Sequence, residues 1–459
     1  MRNVLARLPG LLAGALALTL VSACVVTGGP TSPPSPTSTA TRVPGQQSPS
    51  ATEVDQAEVD KVVRSAIDDV ERYWRETYPA VTGGRPFTPV KGYFPYSRSD
   101  PPPACGSEQG TYQPNAFYCP AGDFIAWDEE ELIPTLYSRY GPLLVAVVMA
   151  HEYGHAIQHR LGVEGMPTIV LEQQADCFAG SWVRDVTAGR SDAFPKAKPD
   201  QLDAAIAGML SLRDQPGTSA LSPQAHGNAF DRIRAFQEGY EQGARRCVTY
   251  RPGTIPITEV PFTDPADVRT GGNLPYAEAV ELLSQDLQSY WSQTFPQLSG
   301  GGSWEPLRVV QYDPAAPPAC DGATRTSEEA SGAAFSCPAD GFVAFDRALG
   351  RRLHEQIGDN AIGILLANLF ARAVLERLNR PTTGKAAQLQ IDCLSGSWTH
   401  SLLSRGSQDT LQLSPGDLDE AVAALLVFGR AGDNNGASSF ERVAAYRKGV
   451  LGGIAACNP

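Results

Sequence analysis

Residues 149–159 read Met149-Ala150-His151-Glu152-Tyr153-Gly154-His155-Ala156-Ile157-Gln158-His159, with the pattern His-Glu-x-x-His at their centre. Pro142 suits a first helical turn and Gly162 a stop, so the spacing predicts one helix between them. Its first half, Leu143 to Ala150, is apolar on every side, which sends the helix through a core. On a helix, residues four apart share a face one turn apart. His151 and His155 can therefore address a single metal ion, with Glu152 beside them as a base.

A third ligand is expected close by in the chain. After the turn at 162–167, residues 168–180 again read as helix and carry Glu172 and Asp176 on one face. Two histidines and a carboxylate make three protein ligands and leave a fourth position open, the arrangement of a catalytic zinc site. Glu172 fits the third ligand. Asp176, one turn on, fits an acceptor for the outer N–H of a ligand histidine, which fixes the ring. His159 lies about 6 Å further along the axis than His155 and reads as a helix-end bystander. Tyr153 and Gly154 read as packing residues, Gly154 letting the second helix approach closely.

These residues carry a resemblance. Together with Ala116-Phe117-Tyr118-Cys119-Pro120, and with His226-Gly227, Arg232, Gly239-Tyr240 and Cys247, they make residues 55–250 resemble the bacterial neutral zinc metallopeptidases. The resemblance implies a zincin-like fold of α+β class, mostly helical with a small sheet, and hydrolysis of peptide bonds. In such a site Zn²⁺ lowers the pKa of its water, Glu152 takes the proton, and the leaving amine later receives it. His226 is a candidate for steadying the oxyanion, against a plain loop histidine. The alternative function is a non-catalytic zinc-binding envelope lipoprotein that acts as a binding or scaffold module.

The N-terminus points to the cell envelope. Residues 1–23 join Arg2 and Arg7 to the apolar run Leu8 to Leu20 and end before Cys24 in Val21-Ser22-Ala23, which resembles a lipoprotein signal peptide. Cys24 is then the lipidated residue, anchoring the protein on the extracytoplasmic face of the cell membrane. Residues 24–53 are rich in Pro, Ser and Thr and read as a tether. Net charge is −13, and −15 once Arg2 and Arg7 leave with the signal. Such a balance argues against nucleic acid as a partner and against a polybasic membrane contact. Peptides or proteins of the envelope are the expected substrates.

The folded part is expected to hold a metallopeptidase domain at 54–250, a linker at 251–274 and a second domain at 275–459. The second repeats the first. Ser289-Tyr290-Trp291 answers Arg72-Tyr73-Trp74, Ala334 to Pro338 answers Ala116 to Pro120, and Ile391 to Trp398 answers Ala175 to Trp182. Aligned on the first helix, Asn368, Leu369 and Arg372 fall at His151, Glu152 and His155, while Gln388 falls at Glu172. Only Asp392, at the place of Asp176, is kept, with Arg372 its expected partner. The second copy thus reads as a pseudoenzyme domain, a fold that has lost its ligands and serves packing or docking. Nine cysteines less Cys24 leave eight, four per repeat. Recurrence of the same places, in an oxidising compartment, selects Cys105–Cys119, Cys177–Cys247, Cys320–Cys337 and Cys393–Cys457.

Overall fold

The Asp55 carboxylate accepts from the Ala57 N–H and caps α1 (Gln56–Thr82), whose stripe Val59, Val63, Ile67, Val70 and Trp74 is buried. Pro79 lies inside this helix. Its missing N–H falls in the last turns, and the stop comes at Gly83, φ +70°, whose N–H returns to the Pro79 carbonyl. This computed structural model describes residues 55–457 apart from 107–109, 164, 220–225, 259, 263–264, 406–410 and 431–435. The signal peptide, Cys24 and the tether lie outside the described residues. Among the described residues no helix is long and apolar enough to cross a membrane.

Three short strands follow α1: β1 (Gly92–Tyr96), β2 (Ala116–Cys119) and β3 (Phe124–Asp128). The middle strand is β3, buried at all five residues, with β1 parallel and β2 antiparallel to it. Next come α2 (Leu132–Tyr140), α3 (Pro142–Leu161), α4 (Thr168–Thr187), α5 (Pro199–Ser211), α6 (Ala229–Gln242) and α7 (Ala244–Cys247). The limits of α3 are those its sequence predicts, Pro142 in the first turn and Gly162 at φ +69° closing the last.

Glycines set the distances between these helices. A Cβ on Gly154 of α3 would lie 2.9 Å from Ala175 Cα of α4, so the close approach expected there is real. Contact between α4 and α6 is tighter still and runs both ways. A Cβ on Gly180 would stand 1.9 Å from the Phe236 carbonyl oxygen, and one on Gly239 1.8 Å from that of Cys177. Backbone cannot yield as a side chain does, so Gly180→Ala must part the helices. The expected cost is about 1–3 kcal/mol or more. Urea unfolding checks this, and an unchanged midpoint would show that the crossing has slack.

The chain continues as α8 (Pro265–Thr270), α9 (Tyr276–Leu298), β4 (Arg308–Tyr312), α10 (Ser327–Ala330), β5 (Ala334–Cys337), β6 (Phe342–Asp346), α11 (Arg347–Gln356), α12 (Asp359–Arg377), α13 (Lys385–Leu403), α14 (Asp417–Arg430) and α15 (Ser439–Cys457). Helix α8 lies in the stretch 251–274, where no helical period is visible in the sequence. The second sheet runs β4-β6-β5, again with one parallel and one antiparallel partner on a fully buried middle strand. Details recur between the halves. Tyr73 bonds Ser181 and Tyr290 bonds Ser397, while the indoles of Trp182 and Trp398 donate to Asp69 and Asp286. A Cβ on Gly396 or Gly449 would stand 2.1 or 2.0 Å from the carbonyl oxygen of Tyr446 or Cys393. The disulfides Cys105–Cys119, Cys177–Cys247, Cys320–Cys337 and Cys393–Cys457 are all formed.

One continuous apolar core runs through both halves. At their junction Phe440 packs on Phe236 and Tyr240, with ring centroids 6.3 and 5.0 Å apart. The polar contacts there are reciprocal. Asp203 of α5 accepts from the N–H groups of Ser439 and Phe440 at the start of α15, at 3.0 and 2.7 Å. Asp419 of α14 accepts from Phe230 N–H at the start of α6, at 3.0 Å, and pairs with Arg213 at 3.1 Å. Each half thus satisfies part of a helix start in the other.

Candidate metal centre

Helix α3 crosses the core with His151 and Glu152 buried and His155 part-buried, all lining a cleft of about 840 Å³. Glu172 reaches the same place from α4. The ligand atoms of His151, His155 and Glu172 all lie within 4.8 Å of one another. The two Nε2 atoms are 3.2 Å apart, and the Glu172 oxygens stand 3.3 Å from His151 Nε2 and 3.5 Å from His155 Nε2.

The far side of each ring decides which nitrogen faces inward. His151 Nδ1 is 2.8 Å from Asp176 Oδ1, and His155 Nδ1 is 3.0 Å from Gln158 Oε1. Gln158 is itself oriented, since its amide nitrogen donates to the Leu171 carbonyl at 2.6 Å. With an acceptor on each Nδ1–H, both Nε2 lone pairs point at Glu172. Glu172 Oε2 is buried and has no hydrogen-bond partner despite its closeness to His151. Converging lone pairs and an orphaned carboxylate oxygen repel one another unless a cation sits among them. The donor set of two imidazoles and one carboxylate fits Zn²⁺.

The carboxylates around the centre draw positive charge to it. Burial lowers the His151 pKa, but Asp176 and Glu172 outweigh it and push it up to about 10. Burial raises the Glu172 pKa, yet the two imidazoles hold it far below the carboxylate range. Asp176 is also held low against burial, chiefly by Arg232, whose Nε and Nη2 donate to its oxygens at 2.9 and 3.1 Å. Glu152 sits differently: burial raises its pKa, and the histidines only partly offset this. One oxygen of Glu152 accepts from Tyr118 N–H of the edge strand β2 at 3.0 Å. A carboxylate poised upward in this way is suited to taking a proton.

His226 lines the same cleft and is half exposed. Asp214 accepts from its backbone N–H at 2.7 Å and lies 3.4 Å from its Nδ1, which raises the ring's pKa. His159 is exposed at the cleft, its ring centroid 6.2 Å from that of Tyr118, and is absent from the ligand group. Three supports went unrecognised in the sequence: Gln158, the Tyr118 N–H and Asp214. Arg232 was marked there only as part of a motif. Gln158 had a signal, since it is one turn beyond His155 on the same helix face.

The corresponding place in the second half corrects one expectation. Arg372 does not pair with Asp392; it donates to the Thr382 carbonyl at 2.6 Å. Asp392 is taken by Arg442 of α15, at 2.8 and 2.9 Å, as Asp176 is by Arg232 of α6. The bond needs an arginine rising from the crossing helix, and Arg372 lies too far round α12 to supply it. Gln388 donates to Asn368 and Asp392 at 3.4 and 3.2 Å, and Asn368 to Ser395 at 2.9 Å. These amides satisfy one another without a cation.

Fold and site together define a mostly helical protein with a His-His-Glu group in an open cleft, able to hold a metal ion. The family described as "Putative neutral zinc metallopeptidase" matches residues 10–250, just over half of the chain, and the chain belongs to that family. It is 31% identical over 164 residues to an uncharacterized protein of Mycobacterium tuberculosis, covering 30% of this chain and 55% of that one, and likewise to one of Mycobacterium bovis. With the uncharacterized protein YpfJ of Escherichia coli it shares 26% over 171 residues, 32% of this chain and 57% of the other. The chain thus spans little more than half the length of the curated relatives it matches. No solved structure matches it.

Proposed function

We propose that the protein is a lipid-anchored, extracytoplasmic zinc metallopeptidase acting on peptides or proteins of the cell envelope. The observation that carries this is the convergence of His151, His155 and Glu172 on one point in an open cleft, with Glu152 beside them but outside the ligand set. Zinc held there supplies a Lewis acid that acidifies water and polarises a carbonyl. The side chains do the rest. Asp176 and Gln158 fix the ligand rings, Tyr118 N–H steadies the Glu152 carboxylate, and Glu152 takes the proton of the attacking water and delivers it to the leaving amine. His226, oriented by Asp214, faces the cleft as a donor to the developing oxyanion.

Metal removal tests this reading. Dialysis against a strong chelator is expected to stop cleavage of an unstructured peptide library, and one equivalent of zinc to restore it. Full activity with no zinc present would sink the proposal. Anchoring rests on Cys24: Cys24→Ala is expected to move the protein from the membrane to the soluble fraction, and unchanged fractionation would remove the lipid.

We also infer that the halves, 54–250 and 275–459, arose by tandem duplication. Matching strand orders, disulfide places, glycine crossings and Asp–Arg pairs support this. An experimental structure in which the halves fail to superpose would refute it.

A further inference from the structure

We propose that the cleft selects substrates with a large aliphatic or aromatic side chain next to the scissile bond, and this rests on the peptidase reading above. The cleft face of α3 extends from Leu144 to His159, about 22 Å at 1.5 Å per residue. Its chemistry changes at His151. On the N-terminal side the α3 residues that line the cleft are Leu144, Val147 and Val148, all aliphatic. Leu132 and Leu136 of α2, and Met209 of α5 with Leu212 just after it, also line the cleft, and α2 and α5 pack on α3 and on each other. On the C-terminal side the α3 lining is His155, Gln158 and His159.

Val148 is four residues before Glu152, hence one turn away on the same face. It is part-exposed to the cleft, as are Leu132 and Leu212. A side chain entering the recess is therefore that of a residue beside the bond under attack. Among the described residues, the fully charged side chains lining the cleft are Glu152, Glu172, Asp176 and Arg232, and all four already serve the centre. A charged substrate residue placed among Leu132, Val148 and Met209 would lose its water and gain no partner. An apolar one gains the burial of a full side chain, which converts to about ten- to a hundred-fold in affinity.

The test uses Ala-Gly host peptides that carry one guest residue, Gly, Ala, Leu, Phe or Glu. They are titrated against the full-length Glu152→Gln protein loaded with zinc, and the same peptides are incubated with wild type to map the cuts. Leu and Phe guests are expected to bind at least about ten-fold tighter than Gly and Glu, and cuts to fall beside them. Adding Val148→Glu should erase the preference with zinc content unchanged. Adding Val148→Phe, which keeps the wall apolar, should shift it toward Ala by filling the recess.

Equal affinity for Gly and Leu, or a preference untouched by either substitution, overturns the recess. Leu and Phe preference in binding without cleavage by wild type keeps the recess and removes the peptidase. Cleavage indifferent to its neighbours keeps the peptidase and removes the recess. No binding of any peptide overturns both.

Discussion

Glu152→Gln is expected to leave zinc bound and to lower kcat/KM for peptide cleavage by about 10²- to 10⁴-fold, the usual contribution of a positioned general base. Gln is nearly the same shape, and its amide oxygen can still accept from Tyr118 N–H, the contact that holds the carboxylate now. Ligation should survive, because the centre is built from His151, His155 and Glu172 and does not draw on Glu152. What disappears is the proton acceptor. Zinc content by atomic absorption, beside kinetics on a peptide the wild type cuts, checks both halves of the statement. Activity within ten-fold of wild type would remove Glu152 from proton transfer. A wild type that binds zinc and cuts nothing would favour the envelope binding module instead.

A comparison of Arg232→Ala with Arg442→Ala has the next largest expected effect. Both arginines are buried against buried aspartates, Asp176 and Asp392. Removing one partner of such a pair leaves an uncompensated charge and costs about 3–5 kcal/mol. Thermal unfolding should therefore fall by roughly 10 °C in each variant. Only Arg232→Ala should also weaken zinc, by about 10- to 100-fold, because Asp176 holds the His151 ring and Asp392 holds no ligand. Zinc titration separates the two. Equal zinc affinity in wild type and Arg232→Ala would make that arginine a fold residue alone. A matching loss of zinc in Arg442→Ala would mean that stability, not ring orientation, is being read.

What the sequence disclosed is mostly what short-range rules control. The limits of α3 follow from Pro142 and Gly162, which act on their own turns, and the shared face of Glu172 and Asp176 follows from helical spacing. The buried strand β3 is legible in the short run Asp123-Phe124-Ile125-Ala126-Trp127, with its limits one residue further on. The supports of the centre were hidden because their partners are distant in the chain. Arg232 meets Asp176 across 56 residues, and Gln158 is fixed by a carbonyl on another helix. Asp214 binds the His226 N–H only once the chain has doubled back. Arg372 went wrong for a related reason: alignment sets a residue's place along α12 but not the direction of its side chain. Pro79 gives up one backbone hydrogen bond without ending α1, and Gly83 in the left-handed region sets the end.

The exchanged contacts of Asp203 and Asp419 reach further than packing. Each half supplies one accepting carboxylate and one donating helix start to a self-complementary patch, the pattern by which two equal subunits pair about a two-fold axis. Here the two partners are parts of one chain, so they are always present together in equal amount. The helix whose start Asp419 secures is α6, the one that carries Arg232 to Asp176 and so to His151. A substitution at Asp419 is therefore expected to be felt at α6, although Asp419 lies in the other half of the chain. A carboxylate of the second half thus stands three contacts from a histidine of the first, through α6, Arg232 and Asp176.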